Sequence, residues 1–246
     1  MRSSSKLRAG FDLARAGNFP SVGSNVLAAL VLSINYGSCI PSPGVRAGTL
    51  LLGILAGCLV YAGGATFNDV VDARFDLQHK PERPIPRGVV SQKTAVRIAA
   101  IEMALGLSLL VAAHASFQWA LALGACILGY DWIHKRWVGS VVLMAGCRVL
   151  LACTLATFPG HAMTPAFLGW IGALFVYIVT LSLIARWEYK PGAPAAKIGR
   201  SVGRLLAFIP LIDAIALLLV GAWIPALACA AAIPLGRWAQ RLAAST

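Results

Sequence analysis

Eight apolar stretches of about 17 to 22 residues divide this chain, at 21–40, 47–67, 94–113, 116–133, 138–157, 165–185, 203–220 and 222–238. Each is long enough to cross the hydrocarbon core of a bilayer as a helix. Hydrocarbon offers backbone polar groups no water, so a segment that spans it must satisfy its own hydrogen bonds. The expected fold is therefore all-α: a multi-pass integral membrane helical bundle of about eight transmembrane helices, forming one domain over residues 1–246. Charged residues make up only 12% of the chain and hydrophobic ones 59%. A soluble domain carries about 25% charged residues, so that class is excluded.

The placement of positive charge tests the same layout. Of the 21 Lys and Arg, four precede the first stretch, six lie between Arg74 and Arg97, two form Lys135-Arg136, five lie between Arg186 and Arg204, and two close the chain. These groups fall at the amino terminus and after the second, fourth, sixth and eighth stretches; only Arg46 and Arg148 fall elsewhere. By the positive-inside rule both termini and these loops are cytoplasmic, and a bacterial inner membrane is the expected location. The net charge of +12 then reads as orientation plus affinity for anionic membrane lipid, and no nucleic-acid partner is expected. The first 20 residues lack an apolar core followed by a small-residue cleavage site, so no signal peptide is expected. Six cysteines lie in apolar stretches without C-x-x-C spacing and read as packing residues.

The chemistry gathers after the second stretch, in Asn68-Asp69-Val70-Val71-Asp72-Ala73-Arg74-Phe75-Asp76. On a helix Asn68, Asp72 and Asp76 fall at i, i+4 and i+8, and Asp69 stands three residues before Asp72, so all four share one broad face. Carboxylates that close repel one another. A divalent cation relieves the repulsion, and Mg²⁺ takes one or two carboxylates while leaving positions for water and phosphate oxygens. The same residues also read as an acidic helix end in solvent. The loop that follows, His79-Lys80-Pro81-Glu82-Arg83-Pro84-Ile85-Pro86-Arg87-Gly88, is stiffened by three prolines. It sets Lys80, Arg83 and Arg87 beside the acidic face, the pairing that a diphosphate needs: metal for bridging oxygens and cationic donors for the rest. Orientation alone accounts for Arg87 equally well.

The pattern Asn68-Asp69-x-x-Asp72-x-x-x-Asp76 followed by Arg83-Pro84-Ile85-Pro86-x-Gly88 resembles the first aspartate-rich motif of the UbiA superfamily of intramembrane prenyltransferases. Arg15-Ala16-Gly17-Asn18-Phe19-Pro20 with Asn25 resembles the start of that family's first helix, and Tyr130 to Arg136 resembles its tyrosine and lysine loop after helix 4. The resemblance extends over most of residues 11–205. It implies a bundle around a central cavity, a prenyl diphosphate donor, an aromatic or other lipophilic acceptor, and Mg²⁺ as cofactor. It places Asn68, Asp69, Asp72 and Asp76 on the metal, and Lys80, Arg83, Lys135 and Arg136 on the diphosphate. Asp72, Arg83 and Lys135 are the catalytic set, and Arg15, Asn25, Arg186 and Glu188 bind substrate.

Two departures stand beside the match. The family's second aspartate-rich motif falls at Ser182-Leu183-Ile184-Ala185-Arg186-Trp187-Glu188-Tyr189-Lys190, where only Glu188 is acidic. Arg186, Lys190 or Lys197 can stand in for a second metal as phosphate ligands. Nine helices are usual in the family, against eight here. The weakened motif keeps two alternatives open: a non-catalytic protein that binds isoprenoid lipid or acts as a scaffold, and a terpene cyclase of the same superfamily. A transporter is disfavoured because the charges do not mark a path through the midplane. Three acidic residues and one arginine lie within or near apolar stretches and need partners. Asp131 reads equally as a partner of Arg148 and as a residue of the site, while Glu102 and Asp213 each read as a partner, a protonated carboxyl or an acceptor-side base, structural pairing being favoured. Asn25, Ser33 and Asn35 read as interhelical hydrogen-bonding residues or as cavity-facing ones. His134 reads as a solvated interfacial histidine, and His114 and His161 fall at the opposite side.

Overall fold

The computed structural model describes residues 2–34, 45–187 and 195–243. Over them the chain forms α1 (Arg2–Leu13), α2 (Phe19–Leu32), α3 (Ala47–Val71), α4 (Ala73–His79), α5 (Gln92–Ala112), α6 (Phe117–Ile133), α7 (Ser140–Leu155), α8 (Pro165–Arg186), α9 (Ala195–Ala207), α10 (Ile209–Leu219) and α11 (Trp223–Leu242). The eight apolar stretches coincide with α2, α3, α5 to α8, α10 and α11. The expected all-α integral membrane bundle is thus observed. Among the described residues α3, α5, α8 and the continuous stretch Lys197–Leu219 are long and apolar enough to cross a membrane, while Ser140–Leu155 and Ala16–Leu32 are shorter apolar helices. The number eight therefore rests on the apolar pattern, not on helix length.

Local sequence explains where helices begin. The Ser91 hydroxyl accepts the backbone N–H of Thr94 at the start of α5, and the Thr164 hydroxyl accepts that of Phe167 at the start of α8. Both relieve N–H groups that have no partner in the first turn. Pro165 and Pro20 sit in the first turns of α8 and α2, where a missing N–H costs nothing.

α2 is the innermost helix. Val22, Val26, Ala28, Ala29 and Leu30 are all buried, on faces that turn toward α3, α7, α10 and α11. A helix apolar on every side is one enclosed by others. At its far end the Thr164 hydroxyl donates to Leu32 O (2.6 Å) and Ala162 N–H to Ser33 O (2.7 Å), fastening α2 to the turn between α7 and α8. Large apolar side chains such as Leu51, Ile101, Leu121, Val176 and Ile224 face outward, as hydrocarbon solvent permits. Trp132, Trp137 and Trp187 are exposed together at one end of the bundle, where amphipathic rings favour the bilayer interface.

The helix that carries the acidic run is fixed by an unusually close crossing. A Cβ placed on Gly63 of α3 would lie 2.7 Å from Met103 N, and one on Gly106 of α5 would lie 2.8 Å from Val60 N and 2.9 Å from Ala56 O. Only hydrogen at those positions lets the two backbones touch. Small residues at helix contacts are how membrane bundles gain van der Waals packing without a hydrophobic driving force.

Candidate active site

The acidic run leaves the end of α3 and passes into α4 without losing helical register. Asp72 N–H donates to Asn68 O and Asp76 N–H to Asp72 O, each at 2.9 Å. The i, i+4, i+8 face expected of Asn68, Asp72 and Asp76 is therefore present, with Asp72 at the junction of the two helices. It points inward: Asp69, Asp72 and Asp76 are only 4%, 8% and 2% exposed.

Buried carboxylates need cations or hydrogen-bond donors, and three distant parts of the chain supply them. Arg15 stands between α1 and a short 3₁₀ turn at Ala16–Asn18, with left-handed backbone angles of φ 46° and ψ 46°. That turn aims its guanidinium at α3, where Nη2 donates to Asn68 Oδ1 (3.1 Å) and Asp69 Oδ1 (2.9 Å). Arg83 Nη1 donates to Asp69 Oδ1 (3.1 Å) and Asp76 Oδ2 (2.8 Å). Its loop is closed by Arg87 N–H to Arg83 O and Gly88 N–H to Ile85 O, with Gly88 at φ 70°, and by Gln92 Nε2 donating to Val70 O. From the end of α6, Lys135 Nζ lies 2.7 Å from Asp72 Oδ1 and 3.6 Å above the Phe75 ring, while His134 Nε2 lies 3.2 Å from Asp72 Oδ1.

These pairings set the protonation balance. Burial pushes the Asp72 carboxyl up, but His134 and Lys135 outweigh it and hold the group below the usual carboxylate range. For Asp76 burial prevails over Arg83, and its carboxyl titrates above the usual range. Burial disfavours charged His134, yet the contact with Asp72 raises it above an ordinary histidine. Both carboxylate directions follow from the balance of desolvation and neighbouring charge.

A cavity of about 150 Å³ shares Arg15, Asn68 and Asp131 with this cluster. From Asn68 it follows α3 to Tyr61 and Val60, about 12 Å at 1.5 Å per residue, between apolar Leu123, Ile127 and Ile178. Asn68 Nδ2 donates to Asp131 Oδ1 (3.0 Å), and Asp131 is only 2% exposed.

Several candidates stand elsewhere. Asn25 joins a buried network in mid-bundle: its Nδ2 donates to both Asp213 oxygens, at 2.9 and 2.8 Å, and its Oδ1 accepts from Arg148 Nη1. Asp213 also accepts from the Ser24 hydroxyl (2.6 Å) and Trp170 Nε1 (2.9 Å), and Arg148 donates to Ser21 O and Oγ. Arg148 thus donates to Ser21 and Asn25, one turn apart on α2, and joins Asp213 through Asn25 rather than meeting Asp131, because its side of α7 faces α2 and not α6. Glu102 accepts from the Thr66 hydroxyl (3.2 Å). Arg186 Nη2 donates to His134 O (2.7 Å), Trp137 O (3.0 Å) and Ser140 Oγ (2.7 Å). It fastens the loop that carries Lys135 and is turned from the carboxylates. Lys80 is half-buried at the end of α4, and Arg136 is exposed next to Lys135. Glu188, Lys190 and Asn35 lie outside the described residues. The contact of His134 with Asp72 departs from the expected solvated histidine; its only sequence signal is position, one residue before Lys135.

Among the described residues no three His, Cys, Asp or Glu side chains converge to form a metal cage by themselves; the carboxylates face their basic partners. The family model described as UbiA prenyltransferase family matches residues 26–244. The chain is 33% identical over 137 residues to a digeranylgeranylglyceryl phosphate synthase of Metallosphaera sedula, covering 54% of this chain and 47% of that protein. It is 30% identical over 116 residues to a protoheme IX farnesyltransferase of Photobacterium profundum, covering 46% and 36%. The chain thus spans about half or less of the curated relatives it matches. A solved UbiA homolog from Archaeoglobus fulgidus, bound to GPP and Mg²⁺, superposes with a TM-score of 0.62 at 17% identity, over 94% of this chain and 99% of that one.

Proposed function

This chain belongs to the UbiA prenyltransferase family, and from that membership we propose that it moves an isoprenoid group from a prenyl diphosphate to a lipophilic, aromatic acceptor within the membrane. The observation that carries the reading is the matching of three buried carboxylates of one motif to cations from three separate segments, Arg15, Arg83 and Lys135, at the mouth of an apolar cavity.

The oxygen donors suit Mg²⁺, a hard cation that accepts one or two carboxylates and keeps positions for phosphate. Asn68, Asp69, Asp72 and Asp76 would hold it. When bound, the metal neutralises charge that develops on the diphosphate oxygens. The protein's own groups do the rest. Arg83 and Lys135, with Arg15, Lys80 and Arg136 at the rim, bind the remaining oxygens as charge-assisted donors. The bond from C1 of the prenyl group to oxygen breaks, and its electron pair leaves with the diphosphate. Once freed from the carboxylates, these donors stabilise that charge, the kind of electrostatic contribution that dominates many catalysed reactions. Apolar Leu123, Ile127 and Ile178 exclude the water that would otherwise consume the allylic cation. A nucleophilic atom of the acceptor then bonds to C1 and the acceptor gives up a proton. The motif end faces the cytoplasm in this reading, following the positive charge.

The test is thermal stabilisation of the purified protein by prenyl thiodiphosphates of increasing length, with and without Mg²⁺, in wild type and Asp72→Asn. GPP and DMAPP, the ligands of the solved relatives, set the first lengths. A shift that needs Mg²⁺ and Asp72 supports the donor site. No shift from a folded protein favours the lipid-binding or scaffold alternative, which the single acidic residue of the second motif already recommends.

A further inference from the structure

One side chain on the cavity wall has an unmet hydrogen-bonding need. Asp131 lies in the last turn of α6 and takes part in lining the cavity. Its orientation is fixed by a relay. Arg15 can only donate, so the Asn68 amide must turn its oxygen to Arg15 and its NH₂ to Asp131 Oδ1, as the distances of 3.1 and 3.0 Å record. That leaves Asp131 Oδ2 buried and, among the described residues, without a hydrogen-bond partner. Buried polar atoms left in this state are costly and uncommon in folded proteins.

The surroundings say what kind of group completes it. Leu123, Ile127 and Asp131 recur every four residues on α6, all on the cavity, so they form one stripe with an apolar body and a polar end. The polar end adjoins Asn68, where the motif and the cavity meet. An elongated apolar molecule with one hydrogen-bond donor at its tip fits that stripe, with the tip beside the reacting end of a bound donor. We propose that Asp131 seats the acceptor, taking a hydrogen bond at Oδ2 from a hydroxyl on the nucleophile, and that the chain thereby selects hydroxylated acceptors over their ethers. The inference rests on the transfer reaction proposed above and adds to it an acceptor-binding residue and a chemical requirement.

Two probes of nearly equal shape separate the hydroxyl from the rest of the acceptor: 4-hexylphenol and its methyl ether, 4-hexylanisole. Their affinities are read from thermal shifts of the full-length protein in detergent, with Mg²⁺ and geranyl thiodiphosphate and again without them. Wild type is expected to bind the phenol about five- to tenfold more tightly, the worth of one ordinary hydrogen bond. Asp131→Asn keeps the shape and can still accept from Asn68, but puts an N–H where Oδ2 stood; its preference for the phenol is expected to vanish. Asp131→Ala is the second variant, with the same expectation and unchanged affinity for the ether. Equal affinities in wild type, or a phenol preference that survives both substitutions, overturns the seat. A missing shift with geranyl thiodiphosphate overturns the transfer reaction instead, since the phenol comparison is also made without it.

Discussion

Arg83 holds two carboxylates at once, Asp69 and Asp76, so its loss acts on both. In Arg83→Ala the burial that already raises Asp76 goes unopposed. Affinity for geranyl thiodiphosphate should fall tenfold or more, as roughly 1.5–3 kcal/mol per charged hydrogen bond implies, while the preference for Mg²⁺ over Ca²⁺ stays unchanged. Calorimetric titration with each metal checks this. Arg15 separates backbone from side chain in a different way. Its left-handed conformation costs a non-glycine residue about 1–2 kcal/mol, a strain retained because the guanidinium holds Asn68 and Asp69. Arg15→Ala and Arg15→Gly lose the same contacts, but glycine removes the strain. Arg15→Gly should therefore unfold about 1 kcal/mol harder than Arg15→Ala, measured by chemical denaturation in detergent.

Helices are joined here by two devices of opposite character. The α3–α5 crossing depends on absence of bulk at Gly63 and Gly106, with the Thr66–Glu102 hydrogen bond beside it. In Gly106→Leu the added side chain meets backbone atoms that cannot turn aside, so the helices must separate. The protein should lose several kcal/mol and the acidic run should shift with α3, seen as lower melting temperature together with lost donor binding. The second device is the polar network of Arg148, Asn25, Asp213, Ser24 and Trp170, which joins α2, α7, α8 and α10. Asp213→Ala leaves Arg148 buried without its counter-charge and should cost about 3–5 kcal/mol. Ser24→Ala removes one hydrogen bond and should cost about 1 kcal/mol. Neither residue lines the cavity but Arg148 does, so donor affinity in the surviving folded fraction should match wild type for Ser24→Ala.

For the molecule as a whole, the helices and the acidic motif were readable because each is local: hydrocarbon demands long apolar runs, and carboxylates four residues apart share a face wherever that helix lies. What escaped reading was pairing across the bundle. Depth alone allows Asp131, Glu102 or Asp213 as the partner of Arg148, and the choice rests on which face of α7 carries the arginine, the one toward α2 and not the one toward α6. His134 reads as solvated in the sequence because nothing in the order of residues says that α4 lies beside the end of α6. The resting cluster also has a consequence for how the molecule meets its ligands. A metal ion arriving alone must compete with Arg15, Arg83 and Lys135 for the carboxylates; a diphosphate arriving alone must compete with the carboxylates for the same bases. Each is released only when the other finds its counterpart. Under the proposed function such a cluster would work as a two-key lock, opened by the metal–diphosphate complex and indifferent to free cations or stray anions of the cell.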